Sequence, residues 1–240
     1  AVERISIKFV DHLITANDLW HEKLVERSVA RGRATSLMNY PDLEVFTPCG
    51  RTRDDDRFVM IYPGSLNWHQ GLDIALRAFA MIKDQVPSSE FHIYGTGPAL
   101  NDLIALAREL GLESRVRFAG MLPLREIARV IENADLGVVP KRKNAFGNEA
   151  FSTKTLEFMA MGVPVLVSDT KIDTYYFDQS VVRFFRGESI EDLAKQMLEL
   201  IKDRAAREQL RRAGLMFVQT NSWASKKQEY LDLIDALAIG

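Results

Sequence analysis

From residue 58 to residue 203, short apolar runs alternate with longer segments of helical periodicity. The runs are FVMIYPG (58–64), EFHIYGTG (90–97), RVRFAG (115–120), DLGVVP (135–140), VPVLVSD (163–169) and VVRFF (181–185). Between the first two, LDIALRAFAMIKDQV (72–86) sets Leu72, Ala75, Leu76, Phe79 and Ile82 on one helical face. ALNDLIALARELG (99–111), PLREIARVIENA (123–134), STKTLEFMAMG (152–162) and SIEDLAKQMLELIKD (189–203) follow as helices, the second of these with proline in its first turn. A strand buried on both faces reads as a continuous apolar run, and two parallel strands need a crossover helix between them. The alternation therefore predicts an α/β fold: a doubly wound parallel sheet over residues 58–220.

The flanks read differently. DHLITAN (11–17) is strand-like, DLWHEKLVERSVARG (18–32) helical with Gly32 as its stop, and ATSLMNY (34–40) strand-like again. Residues 1–46 thus read as a fragment of another α/β unit. TPCGRTRDDDR (47–57), with a proline, a glycine and six charged residues, is the expected linker. Residues 221–240 form a closing helix, with Ser222 as its N-cap. At 240 residues the chain is long for one such domain and short for two. It opens at Ala1, directly in a helix-like segment, which reads as the interior of a larger protein.

Composition excludes several classes. A formal net charge of −2 does not suit a general nucleic-acid binder. The lone Cys49 allows no internal disulfide, offers no metal-site spacing and reads as a bystander in the linker. No run approaches the ~18 apolar residues of a membrane span, and no signal-peptide pattern opens the chain. A cytoplasmic location is the expectation.

In open parallel sheets ligands bind beyond the carboxyl ends of the strands. The segments leaving those ends here are PGSLNWHQG (63–71), GTGP (95–98), GML (120–122), KRKNAFGNEAF (141–151) and SDTKIDTYY (168–176), a glycine-bearing set suited to a phosphate-bearing ligand. YGTGPAL lacks the third glycine of a dinucleotide fingerprint and follows the second strand, not the first, so an ordinary tight turn is its plainer reading. In EAFSTKTLEFMAMGVPVLVSD (149–169), Ser152 or Thr153 can cap a helix whose first N–H groups favour an anion, and Lys154 adds positive charge. Glu149 precedes that helix and Glu157 lies one turn in. Carboxylates accept paired hydrogen bonds from vicinal hydroxyls, which sugars and riboses offer and phosphates do not. Two of them beside an anion site suggest a sugar nucleotide. From the spacing alone, a solvated loop glutamate and a surface helix glutamate remain the plainer reading.

The same residues carry more than spacing. Glu149, AFSTKTL, Glu157, FMAMGVPV resembles the signature of the retaining, family 4 type of the glycosyltransferase group 1 family: a glutamate, seven residues, a second glutamate, an alanine-rich helix, then G-x-P-V. PGSLNWHQGLDIALRAFA, FHIYGTGP, LGLESRVRFAGMLPLREI, ADLGVVP and the late Ser222–Trp223 fall in the family's order, so the likeness covers most of the chain.

The resemblance implies the C-terminal, donor-binding half of a GT-B-type fold, in which two Rossmann-like domains face a cleft. It implies transfer of a sugar from a nucleotide-diphosphate donor with retained anomeric configuration, in polysaccharide or glycoconjugate biosynthesis. Glu149 would bind donor-sugar hydroxyls near the reacting carbon. Backbone amides of Phe151, Ser152, Thr153 and Lys154 would hold the diphosphate, and Glu157 the ribose hydroxyls. Gly120 and Met121 would lie along the base. Gly64, Ser65, Gln70, Gly95 and Gly97 would complete the donor site. No cofactor and no obligatory metal are expected, the leaving diphosphate being stabilised by positive side chains and the helix dipole. The acceptor sugar or glycoconjugate would bind the missing N-terminal half, leaving this chain inactive alone. The closing helix would pack toward the first domain, and the full-length protein would associate peripherally with a membrane.

Two departures stand out. The family's arginine and lysine in G-R-x-x-x-x-K-G are Ser65 and Gln70 here, and each lost charged hydrogen bond removes about 1.5–3 kcal/mol of diphosphate stabilisation. Lys154 is the best-placed substitute; His69 is a further candidate, and Lys141, Arg142 and Lys143 read as a solvated loop. The usual glycine after Phe151 is Ser152. His12 reads as a structural residue on a strand edge. Other classes stay open: a degenerate donor-type domain serving as a binding or assembly module, or a sugar-nucleotide epimerase of similar architecture.

Overall fold

Strands in the first 46 residues and strands after residue 57 assemble into two separate parallel sheets. The structure is a computed structural model and describes residues 2–30 and 32–239; Arg31, within the expected helix 18–32, and the terminal residues of the expected first and last units lie outside them. The chain opens with α1 (Val2–Ser6), β1 (Leu13–Thr15), α2 (Asp18–Arg27) and β2 (Ala34–Ser36), and β1 pairs in parallel with β2. Asn17 caps α2, its side chain accepting from Trp20 N at 2.9 Å. The helix ends earlier than Gly32: Ser28 closes it by donating its N–H to Leu24 O.

The second sheet follows as β3 (Phe58–Pro63), α3 (Leu72–Ile82), β4 (Ser89–Tyr94), α4 (Leu100–Glu109), β5 (Val116–Phe118), α5 (Leu124–Glu132), β6 (Leu136–Val139), α6 (Thr153–Ala160), β7 (Val165–Ser168), α7 (Lys171–Tyr176) and β8 (Arg183–Phe185). Three helices, α8 (Ile190–Lys202), α9 (Arg204–Thr220) and α10 (Trp223–Ile239), complete the chain. The strand order is β5-β4-β3-β6-β7-β8, with every pair parallel, the order of a doubly wound nucleotide-binding sheet. The alternation of side chains along each strand divides the core. Met60 and Tyr62 of β3 join Leu76, Phe79 and Phe91 on one face. Ile61 joins Val139, Leu156, Phe158 and Val167 on the other.

One glycine fixes the depth of α6. A Cβ on Gly137 of β6 would lie 2.6 Å from the Phe158 ring, so its absence lets α6 settle directly on the sheet. The segment 168–176, expected as a loop, holds α7 instead, begun by Thr170, whose hydroxyl accepts from Asp173 N. Residues 47–57 have no regular structure yet are tied down. Gly50, Thr52 and Arg53 donate backbone N–H groups to Glu132 and Asn133, and Arg51 and Arg53 both pair with Asp135. Ser222 sits at the start of α10 and accepts from Ser225 N, while Trp223 N donates to Pro41 O at 3.0 Å. Among the described residues, no helix is long and apolar enough to cross a membrane.

Candidate donor site

The strand order reverses between β3 and β6, and the loops leaving β3 and β4 open there onto the start of α6. They are bonded to one another: Gly64 N donates to Tyr94 O, Gly95 N to Gly120 O and Leu66 N to Thr96 O. Gly95, at φ +129°, passes so close to Gly64 that a Cβ there would lie 1.8 Å from the Gly64 oxygen. The result is a cleft of about 400 Å³ whose polar wall is Gly64, Ser65, Thr96, Thr153, Lys154 and Glu157, and whose apolar wall includes Tyr94, Met121, Leu122 and Ile127.

Two opposite charges enter this cleft from one helix. Lys154 is half-buried and lies along Gly64; a Cβ on Gly64 would overlap its Cε, and its Nζ is 5.3 Å from the centre of the Tyr62 ring. Burial lowers its pKa, Glu157 opposes that shift, and Lys141 adds to it. Burial likewise raises the pKa of Glu157, against a hydrogen bond from Thr153 and the charge of Lys154. Both groups are thus pushed toward their neutral forms by partial desolvation. The first turn of a helix leaves N–H groups without intrahelical partners, and Lys154 stands beside that turn. The arrangement offers an anion a cation and backbone donors, with a hydroxyl-accepting carboxylate one turn deeper.

Of the residues expected from sequence, Gly64, Ser65, Gly95, Met121, Thr153, Lys154 and Glu157 line this cleft. Gln70, Gly97, Gly120, Phe151, Ser152 and Glu149 do not. Gln70 sits in a 3-10 turn beyond the cleft. Gly97 packs on the Leu66 backbone. Gly120 stands behind the wall as acceptor for Gly95. Phe151 packs against Tyr176 and Phe177. Ser152 occupies the N-cap position of α6, but its hydroxyl is buried without a partner, so the expected side-chain cap does not form.

Glu149 faces the other way. Lys23 of α2 pairs with its Oε1, Trp20 Nε1 donates to its Oε2 at 3.2 Å, and Asn17 Nδ2 donates to its carbonyl at 3.0 Å. The hydrogen bond from Lys23 is the largest cause of a carboxyl pKa below the usual range. With Leu13, Trp20, Lys23 and Arg27, Glu149 lines a second cavity of about 630 Å³ against the N-terminal segment. Sequence reading missed Trp20 and Lys23 altogether.

Of the basic triplet, Lys141 and Arg142 are withdrawn from solvent, whereas Lys143 is exposed as expected. Lys141 is 3% exposed, pairs with the fully buried Asp173 at 2.9 Å and donates to Ala150 O at 2.7 Å. Arg142 pairs with Asp73 at 2.6 Å, and Lys143 with Asp169 at 3.2 Å. All three pair with carboxylates, Lys143 at the surface, and among the described residues Lys154 is the cation that lines the cleft. His12 bonds Thr35 Oγ1 at 2.9 Å beside β1.

The family model described as glycosyl transferases group 1 matches residues 50–215. The chain belongs to that family. It is similar to D-inositol 3-phosphate glycosyltransferases of Nocardia farcinica, 30% identical over 189 residues, and of Corynebacterium aurimucosum, 26% over 189 residues. These alignments cover 74% and 75% of this chain but 40% and 44% of the relatives, so it spans less than half their length. Its fold resembles sucrose-phosphate synthase from Thermosynechococcus elongatus, with a TM-score of 0.85 at 20% identity, over 99% of this chain and 61% of that one. It also resembles Anabaena HepE in complex with UDP and glucose, with a TM-score of 0.82 at 16% identity, over 97% and 66%. These likenesses establish a Rossmann-like, GT-B-type glycosyltransferase fold. Of the residues that depart from the family pattern, Ser65 lines the cleft, whereas Gln70 and Ser152 do not.

Proposed function

We propose that this chain is the donor-binding part of a glycosyltransferase that takes a sugar from a nucleotide diphosphate and transfers it with retention to a sugar or glycoconjugate acceptor. The observation that carries this is the meeting of Lys154, Glu157 and the start of α6 with Gly64 and Ser65 at the sheet's switch point. In this reading Lys154 and the α6 N–H groups hold the diphosphate, and Glu157 accepts from the two ribose hydroxyls. The wall of Tyr94, Met121, Leu122 and Ile127 lies along the base. The UDP bound in HepE, a protein of similar fold, supports a nucleotide donor.

Lys154 stands in for the positive clamp missing at Ser65, because it crosses the cleft to Gly64 from the opposite wall. That placement favours an active donor site over a degenerate binding module. Leaving-group stabilisation then comes from Lys154 and oriented N–H groups, without an obligatory metal. Glu149 binds donor-sugar hydroxyls from the side facing the N-terminal segment, exchanging its Lys23 and Trp20 bonds for them.

The test is product analysis on the full-length protein supplied with nucleotide sugars. Retention gives a product with the donor's anomeric configuration by NMR coupling constants. An inverted linkage removes the retaining mechanism, and a free epimerised sugar nucleotide in place of a transfer product removes the transferase.

A further inference from the structure

Trp68 and Phe146 are large apolar side chains displayed in the open, 62% and 54% exposed. Trp68 is held in place. The Arg142 guanidinium lies over its ring, with Cζ 4.1 Å from the centroid. Arg142 Nε donates to Trp68 O at 3.1 Å, its Nη2 reaches Asp73 Oδ2 at 2.6 Å, and its backbone N donates to His69 O at 3.0 Å. The His69 ring meets Phe146 edge-on at 4.8 Å. The loop after β3 and the loop after β6 are thereby locked together with aromatic rings facing solvent. Holding such rings in water buries little apolar surface, so folding alone does not account for the display.

Beside Trp68 a cavity of about 560 Å³ runs between α3 and α4. Its polar wall is Asn67, Asp73, Arg77, Asp102 and Glu109, over an apolar floor that includes Leu72 and Leu103. It shares no lining residue with the cleft that holds Glu157. Asp73 is paired with Arg142, and the remaining carboxylates, Asp102 and Glu109, outnumber Arg77, which disfavours phosphates and nucleic acids. An apolar peptide would bury those carboxylates unpaired. A neutral, hydroxyl-rich ligand suits every part: vicinal hydroxyls donate in pairs to carboxylates, and the C–H face of a pyranose packs on an indole ring.

We propose that Trp68 and this cavity form a binding subsite for a neutral oligosaccharide, separate from the cleft that holds Glu157.

The experiment uses the 240-residue chain and follows its three Trp indole N–H signals by NMR, assigned with single Trp→Phe variants. Maltohexaose, mannohexaose, laminarihexaose and cellohexaose are titrated in turn, and UDP separately. At least one hexaose is expected to shift the Trp68 signal while leaving those of Trp20 and Trp223 in place. Trp68→Ala, a surface change that leaves the core intact, should weaken that hexaose about tenfold or more while UDP affinity stays within about twofold. Asp102→Asn should weaken the hexaose as well. The proposal is overturned if no hexaose moves the Trp68 signal, or if Trp68→Ala binds the hexaose as tightly as the parent chain. A failure of UDP to bind would count against the nucleotide reading and leave this test intact.

Discussion

Glu157 and Lys154 sit in the cleft at the expense of their own solvation, and both pKa shifts point toward neutrality. A carboxyl whose folded pKa is raised stabilises the fold below its unfolded pKa, and that contribution is lost as pH rises through the folded value. Where it is ionised, Glu157 therefore opposes folding. Glu157→Gln should raise the unliganded stability by roughly 1 kcal/mol, read by urea unfolding, while nucleoside-diphosphate affinity falls about tenfold to a hundredfold. Lys154→Met should show the same pair of effects. The shifts also set a pH profile. Acid protonates Glu157 above the ordinary glutamate range, and alkali deprotonates Lys154 below the ordinary lysine range. Nucleoside-diphosphate affinity should peak between the two and fall on both sides. Titration at a series of pH values checks it, and a flat profile from pH 5 to 10 would argue against both residues as ligand contacts.

The element that organises the site is α6, seated on the sheet through Gly137 and facing the loop after β3. Ser65 stands on that loop, exposed and in the cleft wall, opposite Lys154. Ser65→Arg should strengthen nucleoside-diphosphate binding about tenfold through an added charged hydrogen bond, measured by calorimetry; no gain would mean that the diphosphate lies elsewhere. Beneath the loop from β6 to α6, Lys141 and Asp173 form a buried ion pair. Asp173→Asn leaves Lys141 buried beside a neutral group and should cost on the order of 3–5 kcal/mol in denaturant unfolding, with much of it regained in a Lys141→Met, Asp173→Leu double variant. The strands and long helices were legible in the sequence because parallel strands buried on both faces cannot hide their apolar runs. Helix α7 was not, since it is six residues long and opens from a polar Ser-Asp-Thr run that also suits a loop. Glu157, Lys154 and Gly64 could be read because a local pattern carries them. Trp20 and Lys23 could not, because they meet Glu149 across 129 and 126 positions of chain, and no local spacing records such a contact.

At the scale of the molecule, both the linker and the N-terminal segment are tied to the Rossmann-like unit. Residues 50–53 are bonded to the end of α5 and the start of β6, and α2 reaches Glu149 on the far side of the loop after β6. The cleft proposed to hold the nucleotide is lined, among the described residues, by residues between 63 and 157, so its ligand can be tested on this chain. The decisive measurement is calorimetric titration of the folded chain with UDP, GDP, ADP and TDP, repeated on Glu157→Ala. At least one of these should bind with a Kd below about 1 mM, and that affinity should fall about tenfold or more when Glu157 is truncated. Absence of binding by all four, or binding that Glu157→Ala leaves unchanged, would contradict a nucleotide-diphosphate site held by Lys154 and Glu157.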